Sequence, residues 1–292
     1  MKFGIYYAYW EHEWGGNFVP YIERIKRLGF DILEVACGNF YLENSVFFKE
    51  LRRVSEANGI TLTGGYGPRP EHNLASKDTA AVEKAFVFYA GMFNKMEQAG
   101  IGSLGGALYS YWPVNFSGEL DKSGDFERSV KSMKRLAEVA ADHGITLNME
   151  ALNRFEGYLI NTAEEAVDYV KAVNKPNVKV MLDTFHMNIE EDSFTGAIEL
   201  AGGLLGHFHV GEANRKPPFE TGRMPWAEIG KALKKINYNG NVVMEPFVLP
   251  GGQVGKDISI WRDISEGATP AELDRAAAES VAFLRKTLCE SQ

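Results

Sequence analysis

The stretch SVKSMKRLAEVAADHGITLNME, residues 129–150, contains the unit that decides the fold. The apolar positions of its first half recur at helical spacing and are Val130, Met133, Leu136 and Ala140. Gly144 then offers the left-handed conformation in which a helix ends at low cost. The run from Ile145 to Met149 follows at once and predicts a buried strand that leads directly into Glu150.

The same order of helix, glycine and apolar strand recurs along the whole chain. The glycines that end helices are Gly29, Gly59, Gly100 and Gly144. The predicted strands cover residues 3–7, 30–35, 60–63, 101–104, 145–149, 178–183, 204–209 and 241–245. The predicted helices cover residues 21–28, 45–58, 78–99, 130–140, 162–173, 193–201 and 226–236, and a last helix begins at residue 269. Two of these helices begin with a capping-box pattern, at Thr162 with Glu165 and at Thr269 with Glu272.

Eight strands, each followed by a helix, predict an α/β fold of the (β/α)8 TIM barrel type. A doubly wound open sheet is the alternative, because it is built from the same alternation. No linker interrupts the units, so we expect one domain over residues 1–292. The net charge is −8 and no basic stripe is present, which argues against a nucleic-acid partner.

No apolar run is long enough for a membrane span, so we expect no membrane association. The two cysteines, Cys37 and Cys289, lie far apart and form no CxxC motif. Together with an N-terminal stretch that does not resemble a signal peptide, they predict a reducing, cytoplasmic location.

Polar side chains follow the strands of the second half of the chain. They are Glu150, Asp183, His209 and Glu245. The ends of the first strands carry mainly aromatic residues and glycines, with Tyr6, Trp14 and Trp112 among them. Because the carboxyl ends of barrel strands meet at one rim, we expect all of these to lie around one site.

Three carboxylates and one imidazole at one rim would repel one another unless a cation lay among them. Such a ligand set favours Mn²⁺, Mg²⁺ or Co²⁺ over metals that seek thiolates. The alternative is that the acids cap helices or pair with arginines, for which Arg154, Arg215 and Arg223 are available. Of the two histidines of strand 204–209, we assign His209 to the rim and His207 to the core.

Several longer motifs carry a resemblance to a known family. They are residues 4–7 up to Trp14, 105–107 up to Trp112-Pro113, 150–156, 180–191, 206–209 with Gly211-Glu212 and Asn214-Arg215, 222–226 and 244–247. These motifs resemble the D-psicose (D-allulose)/D-tagatose 3-epimerases, which belong to the xylose isomerase-like TIM barrels. The resemblance spans nearly the whole chain.

The resemblance implies a metal ion, Mn²⁺ or Co²⁺ with Mg²⁺ as a further option, held by Glu150, Asp183, His209 and Glu245. It implies that Glu150 and Glu245 are the catalytic acid/base pair. Its substrate-binding residues would be Glu156, His186 and Arg215 around C1 to C3 of an open-chain ketose, with Tyr6, Trp14 and Trp112 lining the sugar pocket. It also implies a homodimer or homotetramer.

The expected reaction is epimerisation of free ketohexoses at C3, D-fructose with D-psicose and D-tagatose with D-sorbose, through a metal-stabilised cis-enediolate. One carboxylate removes the C3 proton and the other returns a proton to the opposite face. We further expect Glu156 to orient His186. The alternatives are an aldose–ketose 1,2-isomerase on the same barrel and a non-catalytic sugar-binding protein.

Overall fold

Eight parallel strands form a closed barrel in the computed structural model, which describes residues 1–115 and 119–289. The strands are β1 (Lys2–Tyr6), β2 (Ile32–Ala36), β3 (Thr61–Gly65), β4 (Ser103–Gly106), β5 (Thr146–Glu150), β6 (Val178–Asp183), β7 (Leu205–Val210) and β8 (Asn241–Met244). Strand β1 pairs with β8, with Gly4 opposite Val243. This pairing closes the sheet, so the prediction of a TIM barrel is confirmed and the open-sheet alternative is wrong.

Helices surround the barrel and follow every strand. They are α1 (Val19–Leu28), α2 (Ser45–Asn58), α3 (Thr79–Ala99), α4 (Lys122–Asp142), α5 (Ala163–Val173), α6 (Thr184–Glu190), α7 (Phe194–Ala201), α8 (Trp226–Lys235), α9 (Gly252–Asp257) and α10 (Pro270–Leu284). The short helices α6 and α9 were not predicted. No described helix has both the length and the apolar character that crossing a membrane requires.

The predicted ends of several elements differ from the observed ones. The largest difference is in α4, which begins at Lys122, eight residues before its predicted start at 130. Strands β3 and β4 run on to Gly65 and Gly106, two residues beyond their predicted ends at 63 and 104. Glycine is a poor strand former, but main-chain pairing with the neighbouring strands holds these residues in the sheet.

The four glycines expected to end helices all have positive φ, at 92° for Gly29, 66° for Gly59, 75° for Gly100 and 68° for Gly144. The capping box at Thr269 and Glu272 is complete. The one at Thr162 is only half formed, because the Glu165 carboxylate accepts a hydrogen bond from the amide of Asn161 instead.

The two faces of a strand serve different layers of the molecule. In β7, His207 and His209 point into the barrel, where His209 contacts Glu34 of β2. Since side chains alternate along a strand, Phe208 and Val210 point outward into the apolar layer under the helices, and both are fully buried. The apolar core therefore lies between the barrel and the helices, while the barrel interior near the C-terminal rim is polar.

Gly106 provides a test of the backbone at the end of β4. Its φ is 127°, and a Cβ placed there would lie 2.2 Å from the carbonyl oxygen of Tyr66. We expect Gly106→Ala to lower the free energy of unfolding by more than about 1 kcal/mol, because alanine fits neither the conformation nor the space. Gly91→Ala is the matched control, since Gly91 lies in α3 and an added Cβ would meet no heavy atom within 4 Å. The free energy of unfolding of that variant, measured by urea denaturation, should rise by up to about 1 kcal/mol. Equal stability of the two variants would contradict the prediction.

Candidate active site

The register of the last strands brings the predicted polar residues together. Asp183 of β6 lies directly opposite His209 of β7. Glu150 is the last residue of β5, and Glu245 follows β8 directly. One ligand atom from each of the four residues lies within 4.8 Å of the others. The four side chains that the sequence placed at one rim therefore lie in one cluster.

His209 presents one ring nitrogen to this cluster. Its Nδ1 lies 3.6 Å from Oε1 of Glu245 and 3.9 Å from Oε1 of Glu150. That nitrogen is buried and has no hydrogen-bond partner among the residues that the structure describes. A buried polar atom without a partner costs free energy, so the site favours a group that Nδ1 can bind.

Arginine neutralises only part of the acidic charge. Arg215 is buried, and its Nη1 donates to Oε2 of Glu245 at 2.9 Å and to Oδ2 of Asp183 at 3.2 Å. Its Nη2 lies 3.6 Å from Oε1 of Glu156. The two other arginines considered for this role, Arg154 and Arg223, do not reach the cluster: Arg154 pairs with Glu190 outside it, and Arg223 contributes a main-chain amide to Glu212. One guanidinium thus faces several carboxylates, and negative charge remains.

The ionisation of the cluster responds to this excess negative charge. Burial, and then the neighbouring Glu245, raise the pKa of Glu150 well above its usual value. Burial opposes the charged form of His209, yet Glu34 and Glu245 raise the pKa of that imidazole well above its usual range. Burial likewise opposes ionisation of Asp183, but Arg215 lowers the pKa of its carboxyl. The cluster therefore attracts positive charge.

These residues fit a divalent metal ion. Three carboxylates and one imidazole nitrogen are the ligand types that hard or borderline divalent cations take in proteins. The unpartnered Nδ1 of His209 and the uncompensated negative charge are the two observations that favour such an ion. The three acids do not simply cap helices, although Asp183 also accepts a hydrogen bond from the amide of Phe185 at the start of α6.

Asn153, which the sequence did not single out, connects two of the predicted substrate-binding residues. Its main-chain amide and its Nδ2 lie 3.1 and 2.8 Å from Nδ1 of His186. The same Nδ2 donates to Oε1 of Glu156 at 3.0 Å. Asn153 therefore orients His186 directly, and Glu156 is connected to that ring through the same Asn153 amide. Because Nδ1 accepts, the proton lies on Nε2, which is 3.8 Å from Glu150 and 3.9 Å from Asp183.

A cavity opens above the cluster. Nine of the ten predicted site residues line it: Tyr6, Trp14, Trp112, Glu150, Glu156, His186, His209, Arg215 and Glu245. The tenth, Asp183, is almost fully buried beneath them.

Aromatic rings form one wall of the cavity and are fixed by hydrogen bonds at their edges. Nε1 of Trp112 donates to Oε2 of Glu156 at 3.2 Å, and Nε1 of Trp14 donates to Oδ2 of Asp257 at 2.8 Å. Phe247, which was not predicted, packs against the ring of Tyr6 with centroids 6.1 Å apart. It follows Glu245 by two residues, and that spacing at a strand end was the available signal.

Glu34 was also missed by the sequence analysis. It lies inside the apolar strand β2 and is only 1% exposed, and its carboxylate contacts His209. An acid within the run Ile32 to Ala36 was a usable signal, because a carboxylate is rarely buried without partners.

Comparison with known proteins agrees with this fold and site. The model of the family described as "Xylose isomerase-like TIM barrel" matches residues 22–287. That range covers most of the chain and includes Glu150, Asp183, His209 and Glu245, which are called the metal-fitting cluster below. The chain belongs to the xylose isomerase-like TIM barrels.

Close relatives indicate a more specific group of enzymes within this family. A D-psicose 3-epimerase of Ruminiclostridium cellulolyticum is 53% identical over 99% of this chain and 98% of the relative. A D-psicose 3-epimerase of Agrobacterium fabrum is 51% identical over 99% of both chains. The crystal structure of D-psicose 3-epimerase with D-tagatose from Clostridium cellulolyticum H10 superposes with a TM-score of 0.97 at 53% identity, covering 99% of each chain. Within its family this chain is an epimerase, an enzyme of the isomerase class.

Proposed function

We propose that this chain is a ketose 3-epimerase that interconverts free ketohexoses, D-fructose with D-psicose and D-tagatose with D-sorbose. The observation that carries the proposal is the pair Glu150 and Glu245, two carboxylates in one cluster that fits a cation, on the wall of a cavity. The relatives at 53% and 51% identity, both D-psicose 3-epimerases, support the same reaction.

Inversion at C3 explains why two carboxylates are needed. The C2 carbonyl acidifies the C3 proton, but inversion requires that the proton leave from one face and return to the other. A single base would restore the original configuration. We assign Glu150 and Glu245 as the two acid/base groups, one for each face of a cis-enediolate, with their roles exchanged in the reverse direction.

The residues that would hold the metal ion are Glu150, Asp183, His209 and Glu245. We propose Mn²⁺ or Co²⁺, with Mg²⁺ as a further option, because oxygen ligands with one imidazole suit these ions. When bound, a divalent cation supplies Lewis-acid stabilisation of the negative charge that develops on O2 and O3.

Three polar residues would hold the reacting end of the sugar. The Nε2–H of His186 is free to donate toward the cavity because Nδ1 is occupied by Asn153. Arg215 supplies a fixed cation, and Glu156 supplies acceptor oxygens around C1 to C3. Tyr6, Trp14 and Trp112 would cover the less polar faces of the sugar and exclude water from the reacting carbon.

Product analysis with four sugars tests the proposal. The chain should convert D-fructose, D-psicose, D-tagatose and D-sorbose to their C3 epimers at fixed Mn²⁺, with solvent deuterium entering at C3. A 1,2-isomerase would give an aldose product and label at C1 or C2. Sugar binding in a calorimeter without any product peak would identify a non-catalytic binding protein. Either result would overturn the proposal.

Asn153→Ala should raise KM more than it lowers kcat. The change removes the Nδ2 contacts to His186 and Glu156, while the main-chain amide of residue 153 still donates to His186. Leaving a buried acceptor without such a partner costs about 1–3 kcal/mol. We expect kcat/KM to fall by about 10-fold or more on that basis. Steady-state kinetics with D-psicose at saturating Mn²⁺ measures the effect.

Asn177→Ala is the matched control for that variant. Nδ2 of Asn177 also donates twice, but to the main-chain carbonyls of Ala137 and Ile145 at the opposite end of the barrel. It should lose stability and keep the wild-type KM. A wild-type KM in Asn153→Ala would contradict the positioning role.

We further propose a homodimer or homotetramer and a cytoplasmic location. Two large apolar side chains, Phe155 and Trp261, are 74% and 76% exposed, which supports burial of apolar surface in an assembly. Both cysteines are free, in keeping with a reducing compartment. Light scattering on the purified protein tests the assembly, and a monomer at micromolar concentration would contradict it.

A further inference from the structure

Glu34 contacts the ring nitrogen of His209 that faces away from the cluster, and it borders the same cavity. It occupies the third position of β2, between residues that face the apolar layer, and is only 1% exposed. Transferring a carboxylate from water to such a position costs several kcal/mol unless hydrogen bonds compensate. The contacts of Glu34 therefore indicate its role.

Each carboxylate oxygen of Glu34 has one hydrogen-bond partner, His209 for Oε1 and Thr63 for Oε2. Oε1 lies 2.6 Å from Nε2 of His209. Oε2 accepts from Oγ1 of Thr63 at 2.7 Å and lies 3.0 Å from Nε2 of His207. A carboxylate with these partners only accepts, so the His209 proton that it holds is on Nε2.

This arrangement decides which ring nitrogen of His209 carries the free lone pair. With the proton on Nε2, the neutral ring presents an unprotonated Nδ1 toward Glu150 and Glu245. The opposite tautomer would point an N–H at those carboxylates and would have no lone pair for a cation. The two tautomers of a free imidazole have similar energies, so the contact with Glu34 makes the selection.

The spacing between Glu34 and His209 excludes a second ion between them. Ligand atoms on one divalent ion each lie about 2.0–2.2 Å from it, which separates them by more than the observed hydrogen-bond distance in any usual geometry. At 2.6 Å, Oε1 and Nε2 share a proton. Glu34, His207 and His209 also lie close enough together to be considered as a metal site. The contact between Glu34 and His209, however, is a hydrogen bond and not a pair of ligands on one ion.

We propose that Glu34, held by the hydrogen bond from Thr63, is a positioning residue that fixes the tautomer and ring orientation of His209 and thereby increases the affinity of the site for a divalent cation. The proposal rests on the cation site of the proposed function. It assigns Glu34 no contact with the substrate.

Calorimetric titration of the chelator-treated protein with Mn²⁺ alone, without sugar, tests the proposal. We expect Glu34→Gln to raise the Kd for Mn²⁺ by about 10- to 100-fold, the range typical for loss of a partner that orients a metal ligand. Nitrogen NMR of ¹⁵N-histidine-labelled, Mg²⁺-saturated protein gives the second readout. Wild type should show the His209 proton on Nε2, and the variant should show a mixture of tautomers or a weakened Nε2–H hydrogen bond.

Two further variants separate positioning from stability. Tyr238→Phe removes a buried hydroxyl that donates to the carbonyl of Asn241 at the other end of the barrel. It should lower stability and leave the Kd for Mn²⁺ unchanged. Glu34→Asp retains the charge but withdraws the carboxylate from His209. It replaces Glu34→Gln in both measurements if Glu34→Gln does not fold. An unchanged Kd together with an unchanged tautomer in the Glu34 variant that folds would overturn the proposal.

The outcomes also distinguish this inference from the proposed function. If wild type binds Mn²⁺ and does not epimerise any ketose, while Glu34→Gln weakens Mn²⁺ binding, the inference holds and the proposed function fails. If wild type epimerises ketoses and the Glu34 variants bind Mn²⁺ as wild type does, only the inference fails.

Discussion

Glu245→Gln is expected to lower kcat/KM for ketose epimerisation by roughly 10²- to 10⁴-fold, the contribution usual for a positioned acid/base group. Glu150→Gln should lose a similar amount. Each variant keeps one carboxylate, which still removes a proton from its own face of the sugar and returns it there. We therefore expect each variant to exchange solvent deuterium into C3 of one epimer only, with the other epimer labelled by the other variant.

Both glutamates belong to the metal-fitting cluster, so the experiment needs a control for metal loss. Metal content should be measured in each variant, and the kinetics run at saturating Mn²⁺. Glu156→Gln serves as the comparison, because Glu156 contacts Arg215 and Asn153 and is not one of the four cluster residues. It should raise KM and still exchange both epimers. Label entering both epimers in Glu245→Gln, at wild-type rates, would remove that residue from the acid/base pair.

Removing the divalent metal should abolish turnover and destabilise the fold. Without a cation, the buried Glu150 and Asp183 and the half-buried Glu245 have Arg215 as their nearest fixed positive charge. Nδ1 of His209 then has no partner among the described residues. Treatment with EDTA should reduce epimerisation to background, and Mn²⁺ or Co²⁺ should restore it. A ligand present at 100 times its Kd stabilises the folded state by about 2.7 kcal/mol, so Tm should rise on metal addition.

The control for chelation is EDTA saturated with Mn²⁺ before it is added, which should change neither activity nor Tm. Elemental analysis confirms that the treated protein is free of metal. Full epimerase activity in metal-free protein would contradict the prediction, and so would a Tm that does not respond to Mn²⁺, Co²⁺ or Mg²⁺.

The sequence alone predicted the barrel because its signals are local. Helical periodicity, helix-ending glycines such as Gly29 and Gly144, and short apolar runs repeat along the chain in eight units, and few folds accommodate that pattern. It also predicted that Glu150, Asp183, His209 and Glu245 meet at one rim, since the carboxyl ends of parallel strands always lie at the same side of the sheet.

Contacts between strands distant along the chain could not be predicted in this way. Glu34 was missed because its partner His209 is 175 residues away, and only closure of the barrel brings β2 and β7 within reach of each other across the interior. Asn153 was missed for a related reason, since it lies in a loop whose path no periodicity describes, and His186 is 33 residues further on.

Periodicity in the amino-acid sequence thus determined the fold class, and strand polarity determined which side of the barrel carries the polar residues. The tertiary structure alone decided which nitrogen of His209 faces the cluster, which arginine enters it and which residue orients His186. Those decisions depend on distances of a few ångströms between side chains on different strands and loops. Such distances are set by strand register, barrel closure and loop paths, and no local pattern of residues encodes them.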